Sequence, residues 1–152
     1  MNATNIKKQI LNKIIEIIDS RIESTKIALA AAKESRDNET KCSVGDKYET
    51  SRTMMQLEVE KNRVLLNQTL SIKNKLTQIK VNNKHNSVEF GCLVKTSYEN
   101  YFISFAIGKI EIDNEQYYCI SLVSPVGNLL KNKKAGDRIK FQGREITIQE
   151  IN

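Results

Sequence analysis

Apolar side chains recur at helical intervals along the first eighty residues and at alternate positions along the rest. Ile6, Ile10, Ile14 and Ile17 follow steps of four, four and three; Ile15, Ile18 and Ile22 widen the stripe, and Leu29 and Ala30 extend it. This spacing lines one face of an α-helix of about 25 residues or more. Lys7, Lys8, Lys13, Glu16, Asp19, Arg21 and Glu23 fall on its other faces. A second long helix is predicted from about Asp46 to Ile79. Leu65, Thr69, Ile72, Leu76 and Ile79 give it a heptad seam, Met55 continues the seam backward, and Glu58 and Asn62 interrupt it. Between the helices, residues 34–45 (ESRDNETKCSVG) are polar and hold turn and cap residues. Two helices of similar length on either side of a short polar turn fold back as an antiparallel hairpin. About 30 residues of helix span about 45 Å, yet two helices alone enclose little core.

Beyond a polar linker at 81–88 the period changes to two. GCLVKTSYENYFISFAIG, KIEIDNEQYYCISLVS, DRIKFQG and REITIQEI read as strands, with turns at Asp113–Asn114 and Gln142–Gly143. SPVGNLLK reads as a short helix that Ser124 caps and Pro125 opens, since proline's missing N–H goes unused in a first turn. The expected architecture is α+β: a coiled-coil hairpin at 1–80, then a small antiparallel β domain with one short helix at 89–152.

Charge sharpens this picture. Residues 1–80 carry 15 Lys+Arg against 10 Asp+Glu, whereas 81–152 carry 9 against 8, so most of the net +6 lies on the hairpin. A moderate basic excess suits a partner that handles nucleic acid, and equally suits plain solubility. Cys42, Cys92 and Cys119 are spaced for neither a disulfide framework nor a zinc site, and free thiols suit a reducing cytoplasm. The N-terminal segment has helical spacing, not the unbroken apolar run of a signal peptide or membrane span.

Candidate chemistry concentrates at the helix–helix turn. From 37 to 49 there are four acids (Asp37, Glu39, Asp46, Glu49) and two lysines (Lys41, Lys47), an acidic tip on a basic hairpin. Asp46 and Glu49 stand three apart in the first turn of the second helix, a spacing that puts both carboxylates on one face. Acids favour any helix start because they offset its dipole, so position alone is ambiguous. Magnesium needs more oxygen ligands than one pair supplies, so the pair would act only beside another macromolecule.

Two sets of residues resemble the bacterial Gre transcript cleavage factors. ISLVSPVGNLLKNKKAGDRIKF is similar to that family's C-terminal signature, through Ser124, Pro125, Gly127, Leu129, Leu130, Lys133, Gly136 and Asp137. Gly45-Asp46-x-x-Glu49 resembles its Gly-Asp-x-x-Glu tip, and the order of hairpin, linker and sheet domain is the same. The resemblance implies a monomeric cytoplasmic transcription elongation factor with an FKBP-like sheet domain, not an enzyme by itself. The sheet domain would dock on RNA polymerase, with Ser124, Pro125, Gly127, Lys133 and Lys134 as docking residues. The hairpin would enter the secondary channel and reach the nascent RNA 3′ end, and DNA would be met only through the elongation complex. Asp46 and Glu49 would help hold a magnesium ion shared with polymerase and place the water that cuts backtracked RNA. The tip departs from the family pattern at Lys41 and Cys42, where an arginine is usual, and in Tyr48 and the run Thr50–Thr53. A second function follows from those departures: a channel-occupying inhibitor that does not promote cleavage. A free-standing prolyl isomerase is a third, poorly served by a chain with no tryptophan.

His85 has no evident ligand partners in sequence, Cys92 and Cys119 read as buried hydrophobes, and most of Tyr98, Tyr101, Phe102, Phe105, Tyr117 and Tyr118 read as core.

Overall fold

The computed structural model describes residues 2–39 and 46–152, leaving aside the side chains of 39 and 46–48. The element order is α1 (Ala3–Glu39), α2 (Asp46–Thr77), β1 (Leu93–Thr96), β2 (Asn100–Ile103), β3 (Gly108–Ile112), β4 (Glu115–Ile120), α3 (Pro125–Leu130), β5 (Arg138–Phe141) and β6 (Arg144–Ile151). The chain forms two compact units. One is Ile15–Lys75; the other joins the chain through Ile14 to Leu76–Asn152.

The first unit is a hairpin in which α1 and α2 pack together. On α1, Ile18, Ile22, Thr25 and Ala32 are buried and Leu29 is half-buried, a run of four, three, four and three. On α2 the buried line is Val59, Asn62 and Thr69, with Met55, Leu66 and Lys73 half-buried between them. Met55, Thr69 and Leu76 lie on the seam as expected, and the expectation is corrected at two positions: Leu66 and Val59 face inward, while Leu65 and Glu58 are exposed. Leu65 and Leu66 are adjacent, and Ile72 and Lys73 are both half-buried, so the apolar spacing fits either line. Asn62 falls on the seam, as expected.

Two contacts fix how the helices align. Lys73 Nζ meets Asp19 Oδ1 at 2.6 Å, and Arg36 Nη1 donates to Gln56 Oε1 at 2.9 Å. Seventeen residues separate Asp19 from Arg36, and seventeen separate Gln56 from Lys73, so both contacts report one antiparallel register. The buried polar side chains of the seam turn to their own helix. Thr25 Oγ1 donates to Arg21 O, Asn62 Nδ2 to Glu58 O and Thr69 Oγ1 to Leu65 O, each four residues back. Satisfied in this way, they fill the seam without an unpaired group.

The second unit is a six-stranded sheet in the order β3-β4-β2-β1-β6-β5. It is mixed rather than antiparallel throughout, which corrects the sequence expectation: β2 and β4 run parallel, with Asn100 beside Tyr117 and Ile103 beside Ile120. After β2 the chain passes beyond the β4 position to the edge, forms β3, and turns back into the gap. Both predicted turns are present, with positive φ at both central residues: Asp113 and Asn114 (50° and 67°), and Gln142 and Gly143 (52° and 76°). That conformation matches the twist of a hairpin.

Each sheet face is buried. Val94, Tyr101, Ile103, Ile146 and Ile148 form one core with Val126 and Leu130 of α3. Leu93, Phe102, Cys119 and Tyr117 lie on the opposite face and are also buried. The first turns of α1 belong to this unit and bury Ile6, Ile10, Leu11 and Ile14, each worth about 2 kcal/mol by area removed from water. Lys13 Nζ donates to Glu111 O of β3 at 2.6 Å, covering part of an exposed sheet edge. Asn2 caps α1 by accepting from Asn5 N at 2.8 Å. Lys7 is almost fully buried, and its Nζ donates to Asn83 O at 3.3 Å.

This core sets an alkaline limit. Burial pushes the Cys92 thiol to about 11 and the Cys119 thiol to about 12, and raises the Tyr101 and Tyr117 phenols to about 12. These groups lose protons more easily in the unfolded chain, so the stability they contribute is complete below the ordinary thiol value and is lost as pH rises through the folded values. Lys7 acts in the opposite sense. Burial lowers its pKa, so its charged form weakens the fold, and that cost disappears as pH rises toward 10.5. The urea midpoint should therefore fall between pH 9 and 11, less steeply in Cys92→Ala/Cys119→Ala and more steeply in Lys7→Met. A midpoint that is flat in wild type, or equal slopes in all three proteins, would contradict this.

Candidate functional site

The turn-end of the hairpin is shaped by what the last turns of α1 and the first turns of α2 contain. Ala32 is buried, and so small a side chain lets the helices approach closely. Arg36, one turn on, is half-buried, and its guanidinium bonds both Gln56 Oε1 across the seam and Asp37 Oδ1 beside it, the latter at 3.2 Å. Gln56 in turn donates to Glu60 Oε1 at 3.0 Å. A short polar chain thus clamps the helices together near their connection.

α2 begins at Asp46, so Asp46 and Glu49 both lie in its first turn, three residues apart. Glu49 is exposed. The side chain of Asp46 lies outside the described residues, as do Lys41, Cys42 and Gly45. Two carboxylates in one helical turn can offer oxygen ligands to a hard cation but do not complete its shell. Among the described residues, no group of three or more His, Cys, Asp or Glu side chains is placed to hold a metal ion.

The other candidates surround α3. Ser124 Oγ accepts from Gly127 N at 3.1 Å and donates to Ser121 O at 2.7 Å, so its hydroxyl caps the helix and ties it to the strand-end loop. Pro125 occupies the first turn and is exposed. Gly127 is where helix and loop meet: a Cβ there would lie 2.0 Å from Ser121 O. Lys133 and Lys134 are exposed, while their backbones are held. Val88 N donates to Lys133 O, and Lys134 N donates to Asp137 Oδ2 at 2.8 Å.

In comparisons with known proteins, no family model, no curated protein and no solved structure matches this chain.

Several features were not anticipated. Val123, next to Ser124, is 91% exposed, which its place at the end of a strand-like apolar run concealed. Arg144 stacks on the Tyr98 ring at 3.7 Å, a contact between residues distant in sequence. His85 Nδ1 bonds Glu89 Oε1, one helical turn's spacing away. Of the aromatics, Tyr101, Phe102 and Tyr117 are core, while Tyr98 is exposed. Cys92 and Cys119 are buried, as expected.

Gly127→Ala should destabilise the protein by about 2 kcal/mol or more, because the atom in the way is backbone and cannot turn aside. Ser124→Ala should cost about 1 kcal/mol. Urea unfolding of both variants checks the order, and a Gly127→Ala protein as stable as wild type would refute the close approach.

Proposed function

We propose that this chain is a Gre-type transcription elongation factor, which works on RNA polymerase and is not an enzyme alone. The observation that carries the proposal is the exposed Glu49 in the first turn of α2, three residues after Asp46. The C-terminal signature Ser124-Pro125-x-Gly127 through Gly136-Asp137 supports it, and here it forms a capped helix and a held turn. In this proposal the sheet unit takes the FKBP-like role and docks on polymerase through the exposed Pro125, Lys133 and Lys134. Ser124 and Gly127 contribute by holding that surface in shape.

The hairpin enters the secondary channel of polymerase. Its helices are long enough, since 32 residues of α2 span about 48 Å. It is also narrow, and its polar chain at Arg36 and Gln56 keeps the two helix ends together. Asp46 and Glu49 then face the RNA 3′ end that backtracking has extruded. Shared between polymerase and the two carboxylates, magnesium would polarise the scissile phosphate and lower the pKa of the attacking water. Glu49, exposed and fixed on a helix, is suited to orient that water.

A second function, occupying the channel without promoting cleavage, is favoured by Lys41, Cys42, Tyr48 and Thr50–Thr53, where the tip departs from the family pattern.

The experiment is RNA cleavage in stalled, backtracked complexes. Wild type should speed cleavage at least about tenfold, a loss of about 1.4 kcal/mol from the barrier. Asp46→Ala and Glu49→Ala should abolish the gain yet still bind polymerase. Binding without acceleration by wild type would select the second function, and no binding would refute both.

A further inference from the structure

The net charge of the sheet unit comes from two segments, residues 1–14 and 76–88. Together they hold five lysines and no Asp or Glu, whereas the rest of the unit, 89–152, holds eight basic and eight acidic residues. The same two segments contain six asparagines and no Phe, Tyr, Trp or Arg. A surface shaped by solubility alone mixes the two signs of charge.

The fold joins the segments. Lys7 is buried, and its Nζ donates to Asn83 O at 3.3 Å, which holds the chain after α2 against the first turns of α1. The chain neighbours of this pair, Lys8 and Lys84, are both exposed, as are Lys80 and Asn82. Asn5, Lys8 and Asn12 stand three and four residues apart and line one exposed face of α1. Among the described residues, none of Lys8, Lys80 and Lys84 forms an ion pair. Lys13 is exposed too, and its Nζ meets a backbone carbonyl, Glu111 O, rather than a carboxylate. Glu89, the first acid after the second segment, bonds His85.

We propose that this surface holds duplex DNA by its phosphate backbone, without reading sequence. Lysine meets phosphate as a point charge, and asparagine amides donate hydrogen bonds to phosphate oxygens. Arginine, which reads guanine edges, is absent from both segments, and so are the aromatic rings on which unpaired bases stack. That composition favours the backbone of a paired duplex over base readout or a single strand. It also speaks against a protein partner, because protein interfaces are enriched in arginine and aromatic residues and depleted in lysine. Three exposed lysines neutralise about three phosphates, so the free protein binds weakly, with a Kd of about 10⁻⁴ to 10⁻⁶ M. This gives the chain a direct contact with DNA, beyond one made through polymerase. The surface belongs to the unit that the proposed function leaves outside the channel, but the inference stands on charge and does not depend on that reading.

Fluorescence anisotropy of a short labelled DNA duplex, titrated with the full chain, tests it. Affinity should fall about fortyfold between about 50 and about 200 mM salt, the dependence that about three phosphate contacts give. The triple variant Lys8→Gln/Lys80→Gln/Lys84→Gln should lose most of that salt dependence and bind at least about tenfold more weakly at low salt. Lys26→Gln/Lys109→Gln/Lys140→Gln removes the same charge from exposed positions elsewhere and should lose less than about threefold. No binding at low salt would overturn the proposal. So would equal losses in the two triple variants, or tighter binding to the single strand than to the duplex. If DNA does not bind and Lys8→Gln/Lys80→Gln/Lys84→Gln weakens polymerase binding instead, the surface belongs to an acidic protein face and the proposal fails.

Discussion

The hairpin depends on one antiparallel register, and two polar contacts mark it: Lys73 with Asp19 and Arg36 with Gln56. Apolar packing alone would not fix that register firmly, because the seam contains Thr25, Asn62 and Thr69 where a strong coiled coil would have leucine or isoleucine. Those three side chains bond backward along their own helices, so they neither bridge the helices nor leave a buried group unpaired. Exposed polar contacts add little stability, but here they mark which residues face each other. A slip of one turn would part Arg36 from Gln56 and displace the first turn of α2, with Glu49, along α1. The placement of the acids thus rests on contacts well away from them.

The sheet unit shows a different use of the same residues. In α3 and the turn after it, Ser124, Gly127 and Asp137 are occupied by capping, close approach and turn closure. What they leave outside is Val123, Pro125, Lys133 and Lys134, all exposed. This segment combines residues that build a surface with residues that present it, and only the second group can touch a partner.

Much of the fold was legible because each segment had one dominant period. The helices, both two-residue hairpin turns and the Ser124–Pro125 helix start were readable from local chemistry: two positive-φ positions in each turn, and a proline where no N–H is needed. The sheet order was not readable. Alternation is the same for parallel and antiparallel neighbours, so nothing local to β2 or β4 distinguishes Ile103 beside Ile120 from the reverse direction. Leu66 took the place expected of Leu65 on the seam for a similar reason, since the two are equally apolar and only the partner helix chooses between them. At the candidate site, the spacing of Asp46 and Glu49 was legible and their chemistry was not, because two carboxylates in one helical turn serve a helix dipole as readily as a metal.

The most direct test of the central claim is the magnesium dependence of cleavage in a backtracked elongation complex, with wild type compared against Glu49→Gln. This substitution keeps the size and exposure of the side chain and removes its charge. If the tip shares a metal with polymerase, wild type lowers the magnesium concentration needed for half-maximal cleavage and Glu49→Gln does not. Identical magnesium curves for the two proteins, at equal occupancy of polymerase, would contradict it.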